Sequence, residues 1–132
     1  MNNFFSKLFG KPQFVPPEKV KESLSKSFDT TLNAEWNKSG DLFEAIFYKN
    51  DLEHIALFNL QGELLEYKMF LPKEFLPEQI HKDLVKKGEI MNSVMINKGN
   101  AISYEIILRN EEQQRFLYLL SETGSILEKR KL

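Results

Sequence analysis

Two histidines, His54 and His81, are the side chains best suited to proton transfer or metal binding in this sequence. A metal site would need them to converge with a carboxylate such as Glu53 or Asp83. Their separation is not the His-x-x-x-His spacing that sets two ligands on one helix face. The pattern places His54 on a strand and His81 on a helix surface, where each has an ordinary structural place. The carboxylates are dispersed. Glu111 and Glu112 fall in a turn, and Glu44 and Glu105 sit beside apolar strand residues on what reads as an outer face. A retaining glycosidase needs two carboxyls about 5 Å apart, and nothing in the spacing brings these together. The chain has no cysteine, which removes thiol nucleophiles, thiolate metal sites and disulfides. Phosphate loops, nucleophile elbows and zinc signatures are absent from the sequence. The reading is of a non-enzyme with no catalytic, cofactor or metal residues and no cofactor.

The elements that carry these residues show internal similarity. Pro17-Glu18-Lys19-Val20-Lys21-Glu22-Ser23-Leu24 has the pattern of Pro77-Glu78-Gln79-Ile80-His81-Lys82-Asp83-Leu84. Phe43-Glu44-Ala45-Ile46-Phe47 matches Tyr104-Glu105-Ile106-Ile107-Leu108, and Gly62-Glu63-Leu64-Leu65-Glu66 matches Gly124-Ser125-Ile126-Leu127-Glu128. The order is kept and the spacing lengthens by one residue at each step, as single insertions in turns would cause. Pro17 and Pro77 suit a helix start, where a missing N–H costs nothing. Val20, Leu24 and Phe28 form one apolar stripe, and Ile80 and Leu84 another. Alternating segments follow each helix. They predict strands at Thr31–Asn37, Leu42–Lys49, Leu52–Leu60 and Glu63–Leu71, then at Ile90–Asn97, Ala101–Arg109, Gln113–Ser121 and Ser125–Lys131. Gly, Asn and Asp in the intervening turns favour antiparallel hairpins. The expected fold is α+β: two tandem repeats of one helix followed by a four-stranded antiparallel meander, with the helices on one face. Residues 1–14 read as an amphipathic segment or tail and 15–132 as one domain, with units 15–71 and 72–132.

Trp36 on the first strand, the Phe58-Asn59-Leu60-Gln61-Gly62 turn and Leu76-Pro77 before the second helix complete a pattern with the helix starts and Phe43–Phe47. From about Val15 to Leu132 the chain resembles the PepSY-like proteins, related in fold to the β-lactamase inhibitory protein. The resemblance implies tandem helix-plus-sheet repeats and no known enzymatic activity. It also implies protein binding across an open sheet face. The inhibitor relatives carry disulfides that this chain cannot form, so β-lactamase binding is not carried over.

Composition agrees with a folded domain: hydrophobic residues make up 42%, charged residues 28%, and Phe occurs 11 times. Eighteen basic and 19 acidic residues leave a net charge of −1, which gives no general attraction to nucleic acid. Lys129-Arg130-Lys131 reads as a solvated strand end. Expected partners are another protein or a second copy. Phe58, Leu60, Tyr118 and Leu120 are the expected interaction surface, because the later strands are apolar on both sides. Phe4, Phe5, Leu8 and Phe9 form one helical stripe beside Lys7 and Lys11, a candidate for membrane-surface or partner contact. The expected function is a non-catalytic binding module. The alternatives are a structural homodimer, a membrane-surface accessory protein and, last, a cryptic enzyme. No signal peptide is visible, so the expected location is cytoplasmic, or periplasmic if a leader has been removed.

Overall fold

The computed structural model describes residues 14–29 and 33–132. Helix α1 (Glu18–Phe28) is followed by β1 (Glu35–Ser39), β2 (Leu42–Lys49), β3 (Leu52–Phe58) and β4 (Leu64–Phe70). A short 3-10 turn at Lys73–Phe75 leads to α2 (Glu78–Val85). Strands β5 (Glu89–Lys98), β6 (Ala101–Arg109), β7 (Arg115–Ser121) and β8 (Ile126–Lys131) complete the chain.

All eight strands lie in sequence order in one antiparallel sheet. This corrects the expectation of two tandem helix-plus-meander units. The architecture is α+β overall, but β4 pairs with β5, setting Glu66 opposite Lys98 and Phe70 opposite Val94. The segment from Leu71 to Pro77 reads as a linker between the two units, because its prolines cannot sit inside a central strand. In fact Pro72 and Pro77 lie beyond the strand ends. Leu71 N–H donates to the Ser93 carbonyl at 2.9 Å, and the Ser93 hydroxyl donates to the Leu71 carbonyl, so the linker is tied to β5 across the α2 crossover.

Local chemistry accounts for the hairpins. Asn50 and Asp51 both take positive φ (54° and 63°) between paired Lys49 and Leu52, the geometry of a two-residue turn matched to strand twist. At two other turns an Asn side chain replaces strand pairing. Asn59 Oδ1 accepts the N–H groups of Gln61 and Glu63 at 3.0 and 2.9 Å. Asn110 Oδ1 accepts those of Glu112 and Gln114 at 3.0 and 2.9 Å. Such side-chain turns satisfy backbone donors that would otherwise go unpaired.

Two apolar clusters lie between the helices and the sheet. Val20 and Leu24 of α1 pack on Phe43, Ala45, Phe47, Ala56 and Phe58. Ile80 and Leu84 of α2 pack with Leu76 on Ile90, Tyr104, Ile106, Leu108, Tyr118 and Leu120. Each helix begins with a proline whose carbonyl accepts from the following turn, Pro17 from Val20 and Lys21, Pro77 from His81. Gly62 in the β3–β4 turn (φ 82°) lies so close to α1 that a Cβ there would meet Ser23 Oγ at 2.7 Å. Both helices therefore cover the same sheet face and leave the other bare among the described residues.

Candidate functional site

Strand register decides which side chains face away from the helices, because successive side chains alternate across a sheet. Phe47 belongs to the α1 cluster and pairs with His54, and Phe43 pairs with Phe58. His54, Ala56 and Phe58 consequently face α1, and Ile55 and Leu57 face the open side. The same count places Ile46 beside Ile55, and Phe70 beside Val94, on that open side. Ile96 follows two residues after Val94. Beyond β6, Ile107 pairs with Leu117, and Glu105 lies between Val94 and Leu119. Val94 is 4% exposed yet belongs to neither core cluster. It is the centre of a second apolar field, shielded among the described residues by its neighbours on the sheet.

Charge surrounds this field unevenly. The open side of β1–β4 carries Glu35, Glu44, Glu53 and Glu66 with one cation, Lys68. The open side of β5–β8 carries Lys98, Arg109, Arg115 and Arg130 with Glu89, Glu105 and Glu128. Arg109 donates to Glu89 Oε1 at 2.7 Å, a cross-strand pair at the rim. Lys68 lies between Ile55 and Ile96, and Glu105 beside Val94, so charge is interleaved with the apolar residues as well as set around them.

The expected surface residues are distributed differently. Phe58, Tyr118 and Leu120 are core residues, at 0%, 5% and 2% exposure. Leu60 alone of the four is exposed, in the β3–β4 turn. The correction follows from parity: both later hairpins hold these residues on the same side as Phe43 and Tyr104. The residues missed, Ile55, Ile96, Ile107, Leu117 and Leu119 among them, have the opposite parity. Counting across the two-residue Asn50-Asp51 turn from Phe47 would have found Ile55. Phe4, Phe5, Leu8 and Phe9 lie outside the described residues.

Trp36 is half-buried with its ring 6.1 Å from Phe58, beside the α1 cluster. His54 is buried and stacks on Phe47 at 5.2 Å, with Phe28 at 6.5 Å. Its Nδ1 has no hydrogen-bond partner among the described residues. Burial lowers its pKa below the ordinary 6.5, a backbone hydrogen bond to Lys49 opposes that, and the Lys49 charge adds to it. Burial raises the Tyr104 phenol, with Glu122 adding to the effect. His81 is half-buried on α2, far along the chain and on a different element from His54. Among the described residues no group of three or more His, Asp or Glu side chains could hold a metal ion. No helix among them is long and apolar enough to cross a membrane.

No family model matches the chain, and no curated protein matches it. Solved structures do. A DUF2874 family protein from Bacteroides uniformis superposes with a TM-score of 0.78 at 16% identity, covering 89% of this chain and 90% of its own. A BLIP-like protein from Bacteroides fragilis gives 0.78 at 14% identity, covering 93% and 91%. A protein from Bacteroides eggerthii, provisionally described as periplasmic, gives 0.79 at 15% identity, covering 89% and 90%. The fold is thus BLIP-like, as the resemblance to the inhibitory protein's fold implied; a PepSY relationship is not shown. The cytoplasmic expectation is corrected to the extent that the Bacteroides eggerthii structural neighbour is described as periplasmic, which runs against it. That expectation rested on the lack of a visible leader, which is a property of the chain's start and not of the fold.

Proposed function

We propose that this chain is a non-catalytic protein-interaction module that engages its partner across the open sheet face. The observation that carries the reading is the apolar field around Val94, which lies outside both helix-covered clusters and is interleaved with charged side chains. The residues around Val94 are half-buried, and an apolar sheet face that no other described element covers supports an interaction role. The neighbours, BLIP-like and DUF2874 proteins, are not known enzymes and support the same class. A polypeptide partner suits a broad, shallow, eight-stranded face better than a small molecule, which favours a concave pocket. Glutamates toward β1 and arginines toward β8 would fix the partner's orientation more than its affinity.

Site-specific photocrosslinking tests this in living cells of the native host. A photoreactive residue is placed at Ile55, Ile96 or Leu117 on the open face, and at Lys19, Lys26 or Lys82 on the helices. The expected result is a discrete adduct from open-face positions only. Adducts from helix positions alone, or from neither set, would contradict the reading. An adduct at twice the chain's mass would identify the partner as a second copy.

A further inference from the structure

The helix-covered side of the sheet is finished differently at its two ends. Four residues after Leu24 stands Phe28, the last residue of α1. Its ring lies 5.0 Å from Phe47 and 5.2 Å from Tyr67, edge-on to the latter. Lys49 Nζ donates to the Phe28 carbonyl at 2.7 Å. An aromatic ring is thus seated on an aromatic bed while a lysine holds the oxygen beside it.

Four residues after Leu84 stands Gly88, which has no side chain to offer. A Cβ there would lie 2.5 Å from the Arg109 carbonyl oxygen, so the backbone passes where a ring could not be attached. Helix α2 stops at Val85, and the N–H groups of Lys87 and Gly88 both close on the Leu84 carbonyl. What remains is a groove of about 270 Å³ lined by Lys87, Leu108, Asn110, Phe116, Tyr118 and Lys129. Its bed is aromatic, and Lys129 Nζ stands 5.1 Å from the Phe116 centroid and 5.4 Å from that of Tyr118. The lining holds two cations and no carboxylate. Asn110 is held in its own turn, its Oδ1 accepting from Glu112 and Gln114 and its Nδ2 donating to Gln114 Oε1.

We propose that this groove receives the C-terminal aromatic residue of a partner polypeptide. The ring would take the place that Phe28 fills over the first cluster, and the terminal carboxylate would meet Lys87 and Lys129 as the Phe28 carbonyl meets Lys49. The volume lies just under the range of about 300–1,000 Å³ for drug-sized ligands, which suits one side chain rather than a larger molecule. Half-buried Phe116, with Leu108 and the edge of the nearly buried Tyr118 behind it, supplies the apolar contact. Charge complementarity supplies the preference for a free carboxylate. This site lies on the face opposite the proposed interaction surface, so either can fail without the other.

The test titrates acetyl-Gly-Gly-Phe with a free carboxylate into the isotope-labelled full chain, followed by amide and side-chain NMR. Saturable shifts are expected at Lys87, Leu108, Phe116, Tyr118 and Lys129. Amidating the peptide, or replacing both cations in a Lys87→Gln, Lys129→Gln variant, is expected to weaken binding about fivefold or more, the scale of a partly solvated ion pair. A Lys19→Gln control should bind as the parent does. Absence of saturable shifts, equal binding of the amide, or shifts confined to the open sheet face would overturn the proposal. Binding of free 3-phenylpropionate as tight as that of the tripeptide would also overturn it, by assigning the groove to a small acid.

Discussion

The α1 end and the α2 end of the sheet use the same materials to different effect. Under α1, three apolar residues at four-residue spacing run to the helix end, and Phe28 closes the cluster over Phe47 and Tyr67. Under α2, only Ile80 and Leu84 are buried from the helix, and Gly88 ends it before a third contact can form. Beside the α1 cluster lies a buried histidine, stacked on Phe47, whose Nδ1 has no hydrogen-bond partner among the described residues, whereas the α2 cluster is filled by aliphatic residues and tyrosines. A helix that closes its own cluster leaves nothing for a ligand to do there. A helix that stops one turn early leaves half-buried Phe116 and two lysines at the edge of its cluster.

The comparison can be broken first at its strongest contacts. Leu24→Asp and Leu84→Asp each bury a charge without a partner, at sites 4% and 2% exposed. Each is expected to cost about 4 kcal/mol or more, read as loss of the cooperative urea transition. Because β4 and β5 are paired, either variant should lower the midpoint for both ends together. Two separated transitions would show that the ends fold independently.

Next in size is Phe28→Ala. The ring is half-buried, so a loss of about 2 kcal/mol is expected, below the full core value for Phe→Ala. A urea titration measures it. A loss under about 0.5 kcal/mol, the ordinary surface range, would show that Phe28 does not close the cluster.

His54 sharpens the comparison through pH. Its folded pKa lies below the unfolded value of 6.5. Between those values the unfolded chain holds a proton that the folded chain does not, so stability falls as pH drops through 6.5 and levels off below the folded pKa. Urea midpoints between about pH 7.5 and 5.5 should therefore decline more in the parent than in His54→Phe. Parallel declines would assign the pH dependence elsewhere. Smallest of all, Asn110→Ala should cost about 1 kcal/mol through two lost backbone hydrogen bonds, with Asn59→Ala matching it at the other end.

Much of this was legible in the residues. The prolines at 17 and 77 mark both helix starts, Leu24 and Leu84 their buried stripes, and the Asn50-Asp51 turn its hairpin. The α1 contact of Phe43, Ala45 and Phe47 follows from simple alternation. Sheet continuity did not, because the pairing of Phe70 with Val94 spans a whole helix and leaves no local period. Phe58, Tyr118 and Leu120 were assigned to the wrong side for a different reason. Strands β3 and β7 are apolar on both faces, so composition alone cannot orient them, and only the register through the turn does. The α2-side groove left one sequence trace, the change from Phe28 to Gly88 after two similar stripes, but its lysines come from β8 and the helix end and meet only in the fold.

The chain's lack of cysteine allows a direct test of the claim that one sheet face is core and the other is a free working surface. Single substitutions Ile55→Cys, Ile96→Cys and Leu117→Cys report the open face, and Ala56→Cys, Ile106→Cys and Tyr118→Cys the helix-covered face. Thiol labelling rates of the folded protein at low micromolar concentration are compared with rates in denaturant. The account predicts that the first three react far faster than the second three, which are strongly protected. Protection of Ile55→Cys and Ile96→Cys as strong as that of the second three, in the isolated protein, would contradict it, because the open face would then already be covered.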